Sequence, residues 1–253
     1  MANNDTIKKT VIVALSLCIV CSVVVSTAAV MLKPMQVANK ALDFKRNILL
    51  AAGLMEEGKS VDELFKQVNT RLVDLNTGKF TDAVNVDTYD QRKASKDPKQ
   101  SEKLSADTDI AKIGSRENIA KVYLVEKDGQ LDKVILPIKG YGLWSTLYGF
   151  IALEADLNTV VGLGFYEHAE TPGLGGEVDN PKWKALWVGK EVYDNGDVAL
   201  DVIKGQAPAG DAHKVDGISG ATLTSRGVGN LVQFWMGENG YASFLTHLKN
   251  GEA

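Results

Sequence analysis

The chain comprises 253 residues, with 28 basic and 32 acidic side chains and a formal net charge of −4. That balance offers no basic footprint for nucleic acid, and the length has room for one medium domain or two small ones with a sizeable core. No repeat with a period of about 20–50 residues is visible, which argues against a repeat architecture.

Residues Val11 to Leu32 form 22 consecutive positions without a charge. At about 1.5 Å rise per residue, a helix of that length covers a hydrocarbon core of ~30 Å. The apolar region of a cleaved signal peptide is shorter, about 7–15 residues, and Thr27-Ala28-Ala29 is a poor cleavage site. The expectation is therefore a retained transmembrane helix over 11–32. Lys8 and Lys9 precede it and Lys33 follows it, so the positive-inside count near the membrane is ambiguous. A short tail over 1–10 is the easier part to keep in the cytoplasm, which predicts a single-pass chain with its main domain outside the cytoplasm. Cys18 and Cys21 lie three residues apart on one face of the span and are read as small packing residues. The rest of the chain has no cysteine, hence no disulfide.

The region 33–120 reads as helical and connecting structure. Leu42 to Met55 and Val61 to Leu72 carry apolar residues at helical intervals, and Ser60 with Glu63 three positions later suggests a capping box. From Gly78 to about Arg116 the chain is polar, which fits a surface loop or a solvated helix. The region 121–253 carries the predicted β core. Val122–Val125 and Leu131–Ile138 flank Asp128-Gly129, a good hairpin signal. Thr146–Glu154 and Val160–Tyr166 make a second pair, Pro181–Val188 a short helix capped by Asn180, and Leu200–Ile203 a short strand. The closing helix begins near Ser219 and stops near Gly237. The predicted fold class is α+β: one N-terminal transmembrane helix, then a domain with an antiparallel sheet and flanking helices, not a βαβ nucleotide fold.

Just before the closing helix stands Asp216-Gly217-Ile218-Ser219-Gly220-Ala221-Thr222-Leu223-Thr224-Ser225. The first N–H groups of a helix lack intrahelical partners and sit at the positive end of its dipole, so such a start suits a phosphate. Ser219 reads as the helix cap. The order Asp-x-x-Ser-Gly-Ala-Thr resembles the flavinylation motif of bacterial FMN-binding domains, in which a separate flavin transferase joins FMN to the motif's last threonine through a phosphodiester. The resemblance implies covalent FMN on Thr222, with Thr224 as the rival acceptor and Asp216 as a transferase recognition residue.

Together with the N-terminal span, Gly140-Tyr141-Gly142-Leu143-Trp144 and His168-Ala169-Glu170-Thr171-Pro172-Gly173-Leu174-Gly175 resemble the C subunit of Na⁺-translocating NADH:quinone oxidoreductases. The homologous G subunit of the Rnf complex is the alternative. The resemblance implies that Glu170, Thr171, Leu174 and Gly175 lie against the flavin, as do Ser219, Gly220, Ala221 and Leu223. Trp144 is a candidate apolar wall, with a buried core position as its other reading. Lys204 is a candidate counter-charge to phosphate or reduced flavin.

The implied role is an electron-carrying flavoprotein of a bacterial inner-membrane complex that oxidises NADH, reduces ubiquinone and exports Na⁺. The main domain would be periplasmic, and the partners would be the other membrane and flavin subunits, a flavin transferase and membrane lipid. The competing class is a non-redox, membrane-anchored binding or assembly module. Gly217-Ile218-Ser219-Gly220-Ala221 lacks the last glycine of a hydrolase elbow, Gly162-x-Gly164 has no third glycine of a dinucleotide fingerprint, and His168, His213 and His247 have no paired metal spacing. No catalytic residue and no metal site is assigned to this chain.

Overall fold

A computed structural model of the chain describes residues 6–253. Residues 1–5 of the expected cytoplasmic tail lie outside the described residues. The first element is a single helix, α1 (Ile7–Ala51), which contains the whole expected span and has Pro34 in its interior. It is long and apolar enough to cross a membrane by length and composition, as a single-pass anchor requires. The helical spacing expected after Leu42 is part of this same helix through Ala51, not a separate one.

The chain divides into two compact units, Met1–Phe44 and Lys45–Ala253. In the second unit Ser60 Oγ accepts from the Glu63 N–H, the forward half of the expected capping box, and starts α2 (Val61–Leu64). The expected helix over Val61–Leu72 is corrected beyond that point. The chain makes one tight turn over Phe65–Gln67 and then becomes a strand, β1 (Val68–Asp74). Then come β2 (Lys79–Phe80), α3 (Gln91–Ala94), β3 (Ser101–Lys103), β4 (Ser115–Glu117), β5 (Ile119–Lys127), β6 (Gln130–Tyr141), β7 (Thr146–Glu154) and β8 (Val160–Glu167). α4 (Pro181–Ala185) starts at Asn180, whose side chain accepts from the Lys182 N–H. It is followed by β9 (Tyr193–Asp194), β10 (Asp197–Val198), β11 (Asp201–Val202), β12 (Lys214–Val215), α5 (Thr222–Met236) and α6 (Ala242–Asn250).

Six strands form one sheet in the order β2-β1-β5-β6-β7-β8, with every neighbouring pair antiparallel. Alternation along the strands gives the sheet two apolar faces. One face presents Val122, Leu124, Val134, Leu136, Leu147, Ile151, Leu163 and Phe165, which share a core with Val228, Leu231, Val232 and Trp235 of α5 and with Tyr241 and Phe244. Residues of opposite parity, including Tyr123, Ile135 and Phe150, are buried on the other face. There Tyr123 meets Phe65 and Phe150 edge to face, and the glycine at 162 leaves room only for the Ala51 carbonyl.

Two hydrogen bonds fix α5 and its C-terminal turn on the sheet. Trp235 Nε1 donates to the Lys139 carbonyl at 2.7 Å and the Tyr241 hydroxyl to the Pro137 carbonyl at 2.8 Å. The β5–β6 ladder stops at Tyr123–Ile135, so Pro137, which has no N–H to give, sits beyond it. With its C-terminal half anchored this way, α5 runs its N-terminal end towards the β6–β7 turn.

Candidate functional site

Three segments meet at the start of α5. The first is the β6–β7 connection, whose turn Gly142–Ser145 is closed by the Gly142 N–H donating to the Ser145 carbonyl at 2.9 Å. The second is the loop after β8, Glu170 to Gly176, and the third is the helix start itself. Glu170 joins all three. Its residue is 5% exposed, and its carboxylate accepts from the backbone N–H groups of Leu143 (3.1 and 3.2 Å), Trp144 (2.9 Å) and Ser145 (3.2 Å), and from the Thr224 hydroxyl at 2.7 Å. The packing leaves no slack: a Cβ at Gly175 would lie 2.6 Å from Thr224 Oγ1, and one at Gly142 would lie 2.7 Å from Glu170 Oε1. Burial alone would raise the Glu170 pKa, but the bonds from Thr224, Trp144, Ser145 and Leu143 outweigh it and hold the carboxyl below its ordinary value.

His168 extends this network. Its Nε2 meets Asp179 at 2.8 Å and its Nδ1 accepts from the Glu170 N–H at 3.2 Å, which makes Nε2 the protonated nitrogen of the neutral ring. Ser145 Oγ accepts from the Ala169 N–H at 2.7 Å, a second tie between the turn and the loop. His213 Nδ1 meets the Glu191 carbonyl and His247 Nδ1 the Gly78 carbonyl, so each histidine is engaged away from Ser219.

The helix start differs from the expected Ser-capped one. The N-cap is Ala221, which has no side-chain cap bond, and the first turn holds no acidic residue. Ser219 is exposed and outside the helix; the nearby hydroxyl that acts on the backbone is Ser225 Oγ, accepting from the Ile218 N–H at 2.9 Å. Thr222 is exposed, whereas Thr224 is 0% exposed with its hydroxyl committed to Glu170. A groove of about 350 Å³ runs along α5 from its start, lined by Thr222, Arg226, Asn230 and Gln233 on the helix and by Ile203, Lys204 and Gly217 beside it. Arg226 does not stand out in the sequence; its position one helical turn after Thr222 is the signal that identifies it.

The remaining candidates are distributed as follows. Trp144 is 66% exposed, so the core reading of this residue is corrected; with Leu143, Leu174 and Leu223 it makes an exposed apolar set on the joined segments. Gly220 takes φ +76°, and a Cβ there would come within 3.1 Å of Leu174 Cδ2, which brings the Leu174 loop against the motif. Thr171 is exposed, and its carbonyl accepts from the Leu174 and Gly176 N–H groups. Asp216 accepts from the Ala207 N–H through Oδ1 and from Trp183 Nε1 through its carbonyl, both at 2.8 Å. The uncapped, acid-free helix start flanked by Lys204 and Arg226 fits a phosphate, and the exposed apolar set fits a flavin ring.

Comparison with known proteins gives the family. The family model for the FMN-binding domain matches residues 142–237. Over its whole length the chain is 56% identical to the C subunit of the Na⁺-translocating NADH-quinone reductase of Pseudomonas aeruginosa, all of which is covered. It is 53% identical to the corresponding protein of Vibrio vulnificus, with 99% of each chain covered. A crystal structure of Shewanella oneidensis NqrC superposes with a TM-score of 0.79 at 41% identity, covering 84% of this chain and 99% of that one. The chain belongs to the NqrC family, the C subunits of Na⁺-translocating NADH-quinone reductases, and carries that family's FMN-binding domain.

Proposed function

We propose that this chain bears one FMN joined through a phosphodiester to Thr222, and that it relays electrons within a complex that oxidises NADH, reduces ubiquinone and exports Na⁺. The observation that carries the choice of residue is the contrast between two threonines. Thr222 is exposed beside Lys204 and Arg226 at an uncapped helix start, whereas Thr224 is buried with its hydroxyl already donated to Glu170. The linkage forms when Thr222 Oγ1 attacks the phosphorus of an activated FMN donor on a flavin transferase. A P–O bond forms, the donor's leaving group departs with the bonding pair, and the hydroxyl proton passes to a base.

FMN bound there would supply reversible electron transfer at its ring. The chain's own residues do the positioning. Backbone N–H groups at the start of α5 would hold the phosphate with Lys204 and Arg226, with Ser219, Gly220 and Ala221 shaping the approach. Trp144, Leu174 and Leu223 would line the ring, with the loop from Thr171 to Gly175 along its edge. Both Glu170 oxygens are taken by protein donors, so Glu170 holds the wall and the helix start together. It would stand behind a bound flavin and not touch it. α1 anchors the chain with its N-terminus in the cytoplasm and the FMN domain in the periplasm of the inner membrane, against lipid and the other subunits.

The test is fluorescence of the denatured chain in a gel after coexpression with a flavin transferase. Wild type and Thr224→Val are expected to fluoresce, Thr224→Val with a lower yield because its partner Glu170 loses a donor, while Thr222→Val is expected to be dark. A dark wild-type chain beside an active transferase would refute covalent attachment, and a bright Thr222→Val would move it elsewhere.

A further inference from the structure

We propose that Asp216, which opens the Asp-x-x-Ser-Gly-Ala-Thr segment, is a positioning residue of the folded acceptor site. Its carboxylate fastens the strap Ile203–Ala207, which carries Lys204, beside the helix start that carries Thr222. The inference rests on the reading of Thr222 as the flavin acceptor and replaces the view of Asp216 as a recognition residue for the transferase.

The strap leaves β11 and runs alongside the segment after β12. The parallel ladder of these two strands continues past their ends: Asp201 N–H donates to the His213 carbonyl at 2.9 Å, Ile203 N–H to the Val215 carbonyl at 3.0 Å, and Gly217 N–H to the Gly205 carbonyl at 2.9 Å. Gly217 lies so close to the Ile203 carbonyl that a Cβ there would collide with it. At Gly205, with φ +86°, the strap turns away. The next link is made by a side chain: Ala207 N–H donates to Asp216 Oδ1 at 2.8 Å. Asp216 is itself held from the opposite side, where the indole of Trp183, a buried residue of α4, donates to its carbonyl at 2.8 Å.

One carboxylate thus ties a strap to a motif backbone that is already fixed. Lys204 lies between the ladder bonds made at Ile203 and Gly205, with the side-chain tie at Ala207 as the next link outward, and it lines the same groove as Thr222 and Arg226. From Lys204 to Gly210 the strap and the chain beyond it are largely exposed, so loss of this outermost link lets the ladder fray from Ala207 back through Gly205 to Lys204. The tie needs an acceptor oxygen at this position and does not need a negative charge. An asparagine supplies the oxygen and an alanine does not.

The experiment uses the full chain in detergent as wild type, Asp216→Asn and Asp216→Ala. In protein made without the transferase, amide hydrogen exchange over 203–207 is expected to be about tenfold faster in Asp216→Ala and within about twofold of wild type in Asp216→Asn, as loss or retention of one hydrogen bond implies. After coexpression with the transferase, in-gel flavin fluorescence is expected to fall about tenfold in Asp216→Ala and to remain near wild type in Asp216→Asn. An asparagine variant closer to alanine than to wild type in either measurement overturns the proposal, as does an alanine variant whose strap exchanges like wild type or whose flavin yield is undiminished. Because exchange is read without flavin, it judges the tie even if Thr222→Val shows that the acceptor lies elsewhere.

Discussion

Replacing Glu170 separates the roles of charge, acceptor oxygens and packing at the junction of three segments. Its carboxylate takes four donors, three backbone N–H groups from Leu143, Trp144 and Ser145 and the Thr224 hydroxyl. A net ~1.5–3 kcal/mol for each charge-assisted bond would give an unrealistic sum, because freed groups find other partners. The N–H groups belong to an exposed turn and can turn to water. Thr224 is 0% exposed and cannot. Glu170→Ala therefore leaves one buried hydroxyl unsatisfied and the turn tied to the loop only through Ser145 Oγ, about 3–5 kcal/mol in line with other broken buried networks.

Glu170→Gln keeps the shape and one acceptor oxygen, which can retain Trp144 and Ser145, while its NH₂ faces Thr224 and forces that hydroxyl from donor to acceptor, at about 1–2 kcal/mol. For a domain of this size 1 kcal/mol moves Tm by roughly 2–4 °C, so the shifts are about 6–20 °C for alanine and about 2–8 °C for glutamine. Thermal unfolding of the full chain in detergent, followed by circular dichroism, measures both. The pH dependence has a definite sign. The folded carboxyl lies below its ordinary value of 4.5, so its contribution is complete above that value and is lost as pH falls through the lowered folded one. The gap between wild type and Glu170→Gln should shrink correspondingly in acid. A Glu170→Ala within 1 °C of wild type, or a glutamine variant as unstable as the alanine one, would refute this account of the junction.

Two further sets of substitutions test the flavin-facing assignments. Trp144→Ala removes a side chain that is 66% exposed, so unfolding of the flavin-free chain should shift by less than about 1 kcal/mol. The visible circular dichroism of the flavinylated chain should nonetheless drop, as expected when a ring loses an apolar neighbour; an unchanged spectrum would remove Trp144 from the site. Lys204→Ala and Arg226→Ala remove exposed cations beside Thr222, so each should slow flavinylation by about three- to tenfold with Tm nearly unchanged. Added salt should narrow the difference from wild type, and rates insensitive to both substitution and salt would argue against a phosphate in that groove.

Strong local signals in the sequence survive folding unchanged. The expected strand Thr146–Glu154 has those bounds, and the Asp128-Gly129 hairpin and the Asn180 cap are present. The elements that differ share a cause. Val61, Leu64, Phe65, Val68 and Leu72 follow helical spacing, yet Val68–Asp74 pairs with β5, a partner some fifty residues away that no local pattern announces. α6 has little local signal because it is short and follows the Gly237–Gly240 stop. Ser219 suits a cap by residue type, but the chain reaches helical dihedrals only after Ala221, and Ser225 serves the nearby backbone instead.

By itself the sequence determined the chemistry available: an apolar span, an acid-free helix start rich in glycine and hydroxyls, and two glycine-bearing loops whose order resembles one flavoprotein family. These are properties of short stretches, set by composition and spacing. Tertiary structure alone decided which threonine is free, since Thr224 is consumed by a carboxylate 54 positions earlier. It also made Glu170, expected against the flavin, the tie between loop, turn and helix, exposed Trp144, and set Lys204 and Arg226 on one groove with Thr222. Such facts depend on distances between residues remote in sequence, which exist only once the sheet has fixed where each segment ends.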